Sequence, residues 1–305
     1  MRSARALVFA AMVALLATNP LSAETIEIGD LSREYLLHTP SGSGPWPLVV
    51  VFHGGNDRAN RIRRRMGWDD LADQEGFAVV YPIGVNRGWN DGRSNTVRYD
   101  AGKAPDDVAF FDALLDVLIE QAVADPSRIY VTGPSNGGMM TMRLMCDRSE
   151  RIAGAAPLIA NLPVNLEPVC HPIRAIPVMV INGRNDGLVP WDGGVVADNE
   201  ERGSVLSTEE TMEFWRRVNG CSDQTGRQDL ANLEQDDEST ITRVSWQACN
   251  AATELLQVNG GGHRVPGDDI PFGSRLIDAL LGNQNEDVQA AEEIWKFFSR
   301  STEIH

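Results

Sequence analysis

Ser135 stands in Gly133-Pro134-Ser135-Asn136-Gly137, directly after the apolar run Ile129–Thr132 and just before an amphipathic stretch that begins at residue 136. This is a G-x-S-x-G nucleophile in strand–turn–helix context, where glycines let the backbone turn tightly and the serine Oγ project beyond the strand end. A serine hydroxyl attacks a carbonyl effectively only when an imidazole takes its proton and an acid holds that imidazole. On such an elbow the partners follow in the order Ser, then Asp or Glu, then His. Of the five histidines, His38 and His53 precede the serine, and His305 is the final residue. His171 precedes the best acid, which leaves His263, in the glycine-rich Asn259–His263 after the apolar run Glu254–Val258. Asp186 is that acid, four residues past Asn182 at the end of the run Val178–Ile181; Asp192 and Asp198 lie in more polar sequence and are weaker candidates.

Acyl transfer also needs donors for a developing oxyanion. Backbone N–H groups of Asn136, next to the nucleophile, and of Gly55, in His53-Gly54-Gly55-Asn56 after the run Leu48–Phe52, are the expected pair. His53 is read as loop structure rather than as a catalytic group. Trp89 and Trp191 are candidates to line a substrate pocket, with core packing as the alternative. Arg61, Arg63, Arg64 and Arg65 form the one basic cluster, expected on an exposed helix face, with contact to an anionic substrate group as the lesser reading. The acidic patch Glu234–Glu238 lacks the alternating ligands and glycine of a calcium loop and reads as a solvated turn. No metal or organic cofactor is expected.

Five short apolar runs, Leu48–Phe52, Phe77–Tyr81, Ile129–Thr132, Ala155–Ile159 and Val178–Ile181, read as buried strands. Amphipathic stretches alternate with them near 59–74, from 106 to about 119, and at 136–146, 208–218 and 288–299, the second opened by the acidic cap Asp106-Asp107. Strand–helix alternation predicts an α/β domain with a mainly parallel central sheet and helices on both faces. Thr25–His38 is expected to add antiparallel edge strands. The polar segments 192–206 and 222–239 are expected to be surface loops.

The chain has 305 residues, 42% hydrophobic and 23% charged, with a net charge of −16. That acidity speaks against nucleic-acid binding, which depends on basic residues displacing counterions, and is easiest to reconcile with an uncharged substrate. Arg2 and Arg5, the 12-residue apolar run Ala6–Ala17 and the small residues around Ala23 predict a signal peptide over 1–23, leaving 24–305 as one catalytic domain. The run is too short to span a bilayer, which takes ~20 apolar residues, so no stable membrane association is expected once the leader is gone. Export lets Cys146, Cys170, Cys221 and Cys249 pair as two disulfides in any of three ways. Sequential pairing would close loops of about 25 residues, each worth roughly 3 kcal/mol in the chain-entropy account.

With these residues in view, the sequence resembles the secreted polyhydroxybutyrate depolymerase and feruloyl esterase-like family of α/β-hydrolases. The likeness runs through His53-Gly54-Gly55, Trp89-Asn90, Pro105–Val108, Asp125–Gly133, Ser135–Met140, Asp186 before Val189-Pro190, Asn219–Cys221, and Gly260–His263 before Pro266-Gly267. It implies the α/β-hydrolase fold, ester hydrolysis through an acyl-enzyme, and the sequential pairing Cys146 with Cys170 and Cys221 with Cys249. Pro134 stands where the family often has Leu, Val265 where an aromatic is common, and Trp191 where tyrosine is more usual. These departures leave the three catalytic candidates in place and bear on the acyl pocket.

The expected activity is therefore that of a secreted or periplasmic serine esterase on hydroxyalkanoate oligomers or feruloyl or acetyl esters. Without a linker and polymer-binding module in this sequence, soluble esters or oligomers are expected over a solid polymer. An acyltransferase or peptidase using the same residues, or a hydrolase-like binding protein, are the rival readings.

Overall fold

The computed structural model describes residues 23–29, 31–93, 104–269 and 279–302. The expected signal peptide and His305 fall outside the described residues. Among the described residues, ten strands form one sheet in the order β1-β2-β4-β3-β5-β6-β7-β12-β11-β10. These are β1 (Glu24–Ile28), β2 (Leu31–His38), β3 (Trp46–Val51), β4 (Ala78–Pro82), β5 (Ala124–Pro134), β6 (Gly154–Leu158), β7 (Val178–Gly183), β10 (Thr225–Asp229), β11 (Thr240–Trp246) and β12 (Thr253–Asn259). The central run from β4 through β12 is parallel, and both flanks, β1–β2 on one side and β11–β10 on the other, are antiparallel.

Side chains alternate across the pleat, so each central strand feeds two cores. Leu48, Val50 and Phe52, like Val178 and Val180, join the core beneath α3 (Asp107–Glu120), α4 (Asn136–Asp147) and α5 (Thr208–Val218). Val49 and Val51, like Met179 and Ile181, face the core under α1 (Ala59–Arg65), α2 (Trp68–Glu75) and the C-terminal helix Ala290–Thr302. The chain thus has the α/β-hydrolase fold expected of it. Both disulfides are sequential, Cys146–Cys170 and Cys221–Cys249.

Three local expectations need correction. The helix read over 59–74 is two helices, because Gly67 adopts a left-handed φ of 67° between α1 and α2. The polar segment 222–239 contains β10, an edge strand with every residue exposed, so no buried alternation marks it in the sequence. The segment 192–206 is more than a surface loop: β8 (Gly194–Val195) pairs with β9 (Ser204–Val205), and Val196 and Val205 pack on Met139, Ala160 and Val189.

Candidate active site

Strand β5 ends at Pro134, and Ser135 turns the chain with φ 55° and ψ −120° before α4 begins at Asn136. A positive φ on a residue with a side chain is strained, and here the fold over-determines it. The Ser135 N–H donates to the Leu158 carbonyl of β6 at 2.9 Å, and the Met139 N–H donates back to the Ser135 carbonyl at 2.9 Å. A Cβ at either Gly133 or Gly137 would lie 2.3 Å from the Phe52 carbonyl oxygen, so only glycine lets β3 and α4 approach so closely around the serine.

Asp186 and His263 come from the ends of two neighbouring parallel strands, β7 and β12. Their loops are stitched by hydrogen bonds from Arg184 N–H to the Val258 carbonyl at 2.9 Å and from Asn185 N–H to the Gly261 carbonyl at 2.8 Å. Gly183 permits this approach, since a Cβ there would lie 2.4 Å from the Gly262 carbonyl oxygen. The outcome is a 2.7 Å contact between His263 Nδ1 and Asp186 Oδ2. Asp186 Oδ1 accepts from the Leu188 and Val189 N–H groups, both at 2.8 Å, which fixes the carboxylate and leaves its other oxygen for the imidazole. With Nδ1–H donating to the carboxylate, Nε2 of a neutral His263 is an acceptor.

Ser135, Asn136, Gly55 and His263 all line one cavity of about 570 Å³. The two oxyanion candidates are adjacent: a Cβ on Gly55 would be 3.6 Å from that of Asn136. His53 holds the loop between them. Its Nε2 accepts from Gly84 N–H at 3.0 Å, so its Nδ1–H donates to the Gly54 carbonyl at 2.8 Å, and burial pushes its pKa below the usual histidine value. His53 is thus a neutral structural histidine of the loop.

Several residues of this site carried no signal of their own in the sequence. The Asn136 carboxamide donates to Asp91 Oδ2 at 2.6 Å and to the Trp89 carbonyl at 3.1 Å, and accepts from Trp89 N–H at 2.8 Å. Asp91 is fully buried and clasped by Arg93 through contacts of 2.7–3.1 Å. Asp107, expected as part of a helix cap, is instead buried against Arg33 at 2.8 Å and accepts from Asn90 N–H at 2.7 Å; Asp106 alone makes the cap. Burial pushes the Asp107 carboxyl up against the pull of Arg33. Trp89-Asn90 and Pro105–Val108, two of the motifs that carry the resemblance, are the nearest sequence markers for this support.

The two tryptophans divide. Trp89 borders the cavity but is only 1% exposed, its ring 5.1 Å from Phe52 and its Nε1–H donating to the His53 carbonyl. Trp191 is not among the lining residues; it belongs to the core near α5, with its Nε1–H on Glu209 and the Arg184 guanidinium 4.6 Å above its ring. Arg61 and Arg65 do line the cavity, beside Arg264 and Asp268.

The fold places the Asp186–His263 contact beside the cavity that Ser135 lines, and comparison with known proteins gives the family. The esterase PHB depolymerase family matches residues 33–202, and the chain belongs to it. It is 31% identical to NocK of Nocardia uniformis subsp. tsuyamanensis, whose name gives its esterase activity as provisional, over 85% of this chain and 78% of that protein. It is also 31% identical to feruloyl esterase C of Emericella nidulans, over 87% and 83% of the two chains. The acetyl xylan esterase from Aspergillus awamori superposes with a TM-score of 0.55 at 17% identity, over 85% of this chain and 98% of that one, and so shares the fold. The chain is a carboxylic ester hydrolase.

Proposed function

We propose that this protein is an exported serine esterase working through an acyl-enzyme. The observation that carries the reading is the 2.7 Å Asp186–His263 contact, with His263 lining the same cavity as Ser135 on its strained elbow. Ser135 Oγ attacks the ester carbonyl while His263 Nε2 takes its proton. Asp186 stabilises the imidazolium without taking the proton itself. The N–H groups of Asn136 and Gly55 receive the oxyanion, and the α4 N-terminus adds favourable dipole. His263 then protonates the leaving alcohol, and water repeats the sequence to release the acid. No metal takes part in this scheme.

Cleavage after residue 23 and maturation in an oxidising compartment accompany the reading, supported by the leader pattern and the two disulfides. The substrates fall among hydroxyalkanoate oligomers and feruloyl or acetyl esters, the last two supported by the names of the relatives. A panel of esters varied separately in acid and alcohol, run on the mature protein alongside a fluorophosphonate probe, tests the proposal. Turnover with stoichiometric labelling at Ser135 is expected; turnover without labelling, or labelling elsewhere, would overturn the mechanism.

A further inference from the structure

The carboxamide of Asn136 is tied to the chain at 89–91. Its Nδ2 donates to Asp91 Oδ2 at 2.6 Å and to the Trp89 carbonyl at 3.1 Å, and its Oδ1 accepts from the Trp89 N–H at 2.8 Å. Both hydrogens of Nδ2 are engaged in this way. The side chain of the first residue of α4 therefore fastens the elbow to a neighbouring loop, and it is the backbone N–H of Asn136 that the proposed mechanism gives to the oxyanion.

Asp91, at the far end of that tie, is fully buried. Arg93 holds it: Nη2 is 2.7 Å from Oδ2, Nε lies 3.0–3.1 Å from both oxygens, and the Arg93 N–H donates to Oδ1 at 3.1 Å. The Arg93 Nη1 donates in turn to the Arg202 carbonyl at 3.0 Å, and a Cβ on Gly203 would lie 3.2 Å from the Arg93 Cβ, so the β8–β9 connection rests on this side chain. Further along the same connection the Ala197 N–H donates to the Leu188 carbonyl at 2.7 Å, and the Leu188 N–H holds Asp186 Oδ1. Polar contacts thus run from Asn136 through Asp91 and Arg93 to a wall of the cavity, and from that wall to the turn that fixes Asp186. A buried ion pair is a weak source of stability, because desolvation offsets its attraction and apolar residues of like volume often do as well. What the Asp91–Arg93 pair provides is a fixed position for the groups bonded to it.

We propose that Asp91 is a positioning residue of the esterase: through the Asn136 carboxamide it aims the Asn136 N–H at the oxyanion, and through Arg93 it holds that donor in place against the cavity wall formed by the β8–β9 connection. This rests on the acyl-enzyme reading above and deepens it. Asp91 touches no reacting atom and acts only through Asn136. Such support matters because a preorganised donor needs no reorganisation as charge develops, and a displacement of about 1 Å can cost ~100-fold in rate.

A double-mutant cycle on kcat tests the role. Asn136→Ala keeps the backbone N–H and removes the carboxamide, while Asp91→Asn keeps the volume and removes the charge that Arg93 and Asn136 share. Turnover of p-nitrophenyl butyrate is expressed per site labelled by a fluorophosphonate, so that a loss of folded protein does not count as a loss of rate. Each single variant should lower kcat by ~10- to 100-fold and weaken inhibition by butylboronic acid, which forms a tetrahedral adduct with the serine, by a similar factor. The double variant should lie within ~3-fold of the slower single, since both changes break one connection. Full kcat in either single variant, effects that multiply in the double, or unchanged inhibition by the boronic acid would each overturn the role. If Asp91→Asn does not fold, Arg93→Gln, which loosens Asp91 but leaves its carboxylate, takes its place in the cycle under the same criteria. Wild-type protein without turnover, or Ser135→Ala with full turnover, would instead sink the acyl-enzyme reading, and the positioning role with it.

Discussion

The Ser135–Asp186–His263 region and the cluster of Arg61, Arg65, Asp57 and Asp268 are built on opposite principles. Around Ser135, Asp186 and His263, backbone holds the arrangement and glycines bring strands and loops into contact: two N–H groups hold Asp186 Oδ1, and neighbouring loops share hydrogen bonds. In the arginine cluster Arg61 is largely exposed, Asp57 serves two cations, and among the described residues Asp268 Oδ1 is buried with no hydrogen-bond partner. On the proposed mechanism, geometry is preorganised where bonds change, as transition-state stabilisation requires, whereas the Arg61–Asp57–Arg65–Asp268 cluster is held by looser ionic contacts.

Breaking the reactive end should give the largest effects. Ser135→Ala removes the proposed nucleophile without touching the core, so kcat on nitrophenyl esters should fall by ~10⁴-fold or more with the thermal midpoint nearly unchanged. Retained turnover would sink the acyl-enzyme route. Asp186→Asn keeps the volume and at least one acceptor for the Leu188 and Val189 amides but can present the wrong partner to His263 Nδ1. A loss of ~10²- to 10⁴-fold in kcat with little change in KM is expected; a change in KM alone would assign Asp186 to substrate binding.

Gly137→Ala separates precision from chemistry. The added methyl would meet the Phe52 carbonyl oxygen at 2.3 Å and that of His53 at 2.8 Å, both backbone atoms of the strand and loop that lead to Gly55. Relief requires the elbow or the oxyanion loop to move. Stability should fall by ~1–3 kcal/mol in urea unfolding and kcat by ~10-fold or more. An unchanged kcat would mean that the oxyanion loop does not depend on this close approach.

The same contrast explains what was legible in the sequence. The elbow announces itself because its glycines, serine and flanking apolar run are contiguous, and chain order singles out His263 across 77 residues from Asp186. The central strands were legible because burial on both faces makes them continuously apolar. By contrast β10 is exposed throughout and hides among polar residues. Asp91 reaches Asn136 from 45 residues away with no motif to mark the pairing. Arg61 and Arg65 were visible only as a basic run. Which side of α1 faces the cavity depends on the break at Gly67 and on Asp57 and Asp268, which come from separate loops. For Trp191 residue type leaves pocket lining and core packing both open, and its position beside α5 places it in the core.

The smallest expected effect tests the charged end by itself. Burial raises the Asp268 carboxyl from the usual 3.8 to about 6, despite the opposing pull of Arg65 and Arg264. The folded state therefore binds a proton more tightly than the unfolded chain between those values. Stability contributed by this group is fully present below pH ~4 and is lost as pH rises through about 6, by up to ~1–3 kcal/mol. Asp268→Asn replaces the titrating group with a permanently neutral one of similar size. Urea unfolding of both proteins from pH 4 to 7.5 isolates the difference, because the other carboxylates titrate alike in each. The variant should gain on the wild type as pH rises through this window. A pH-independent offset would instead mean that Arg65 and Arg264 fully compensate the buried carboxylate.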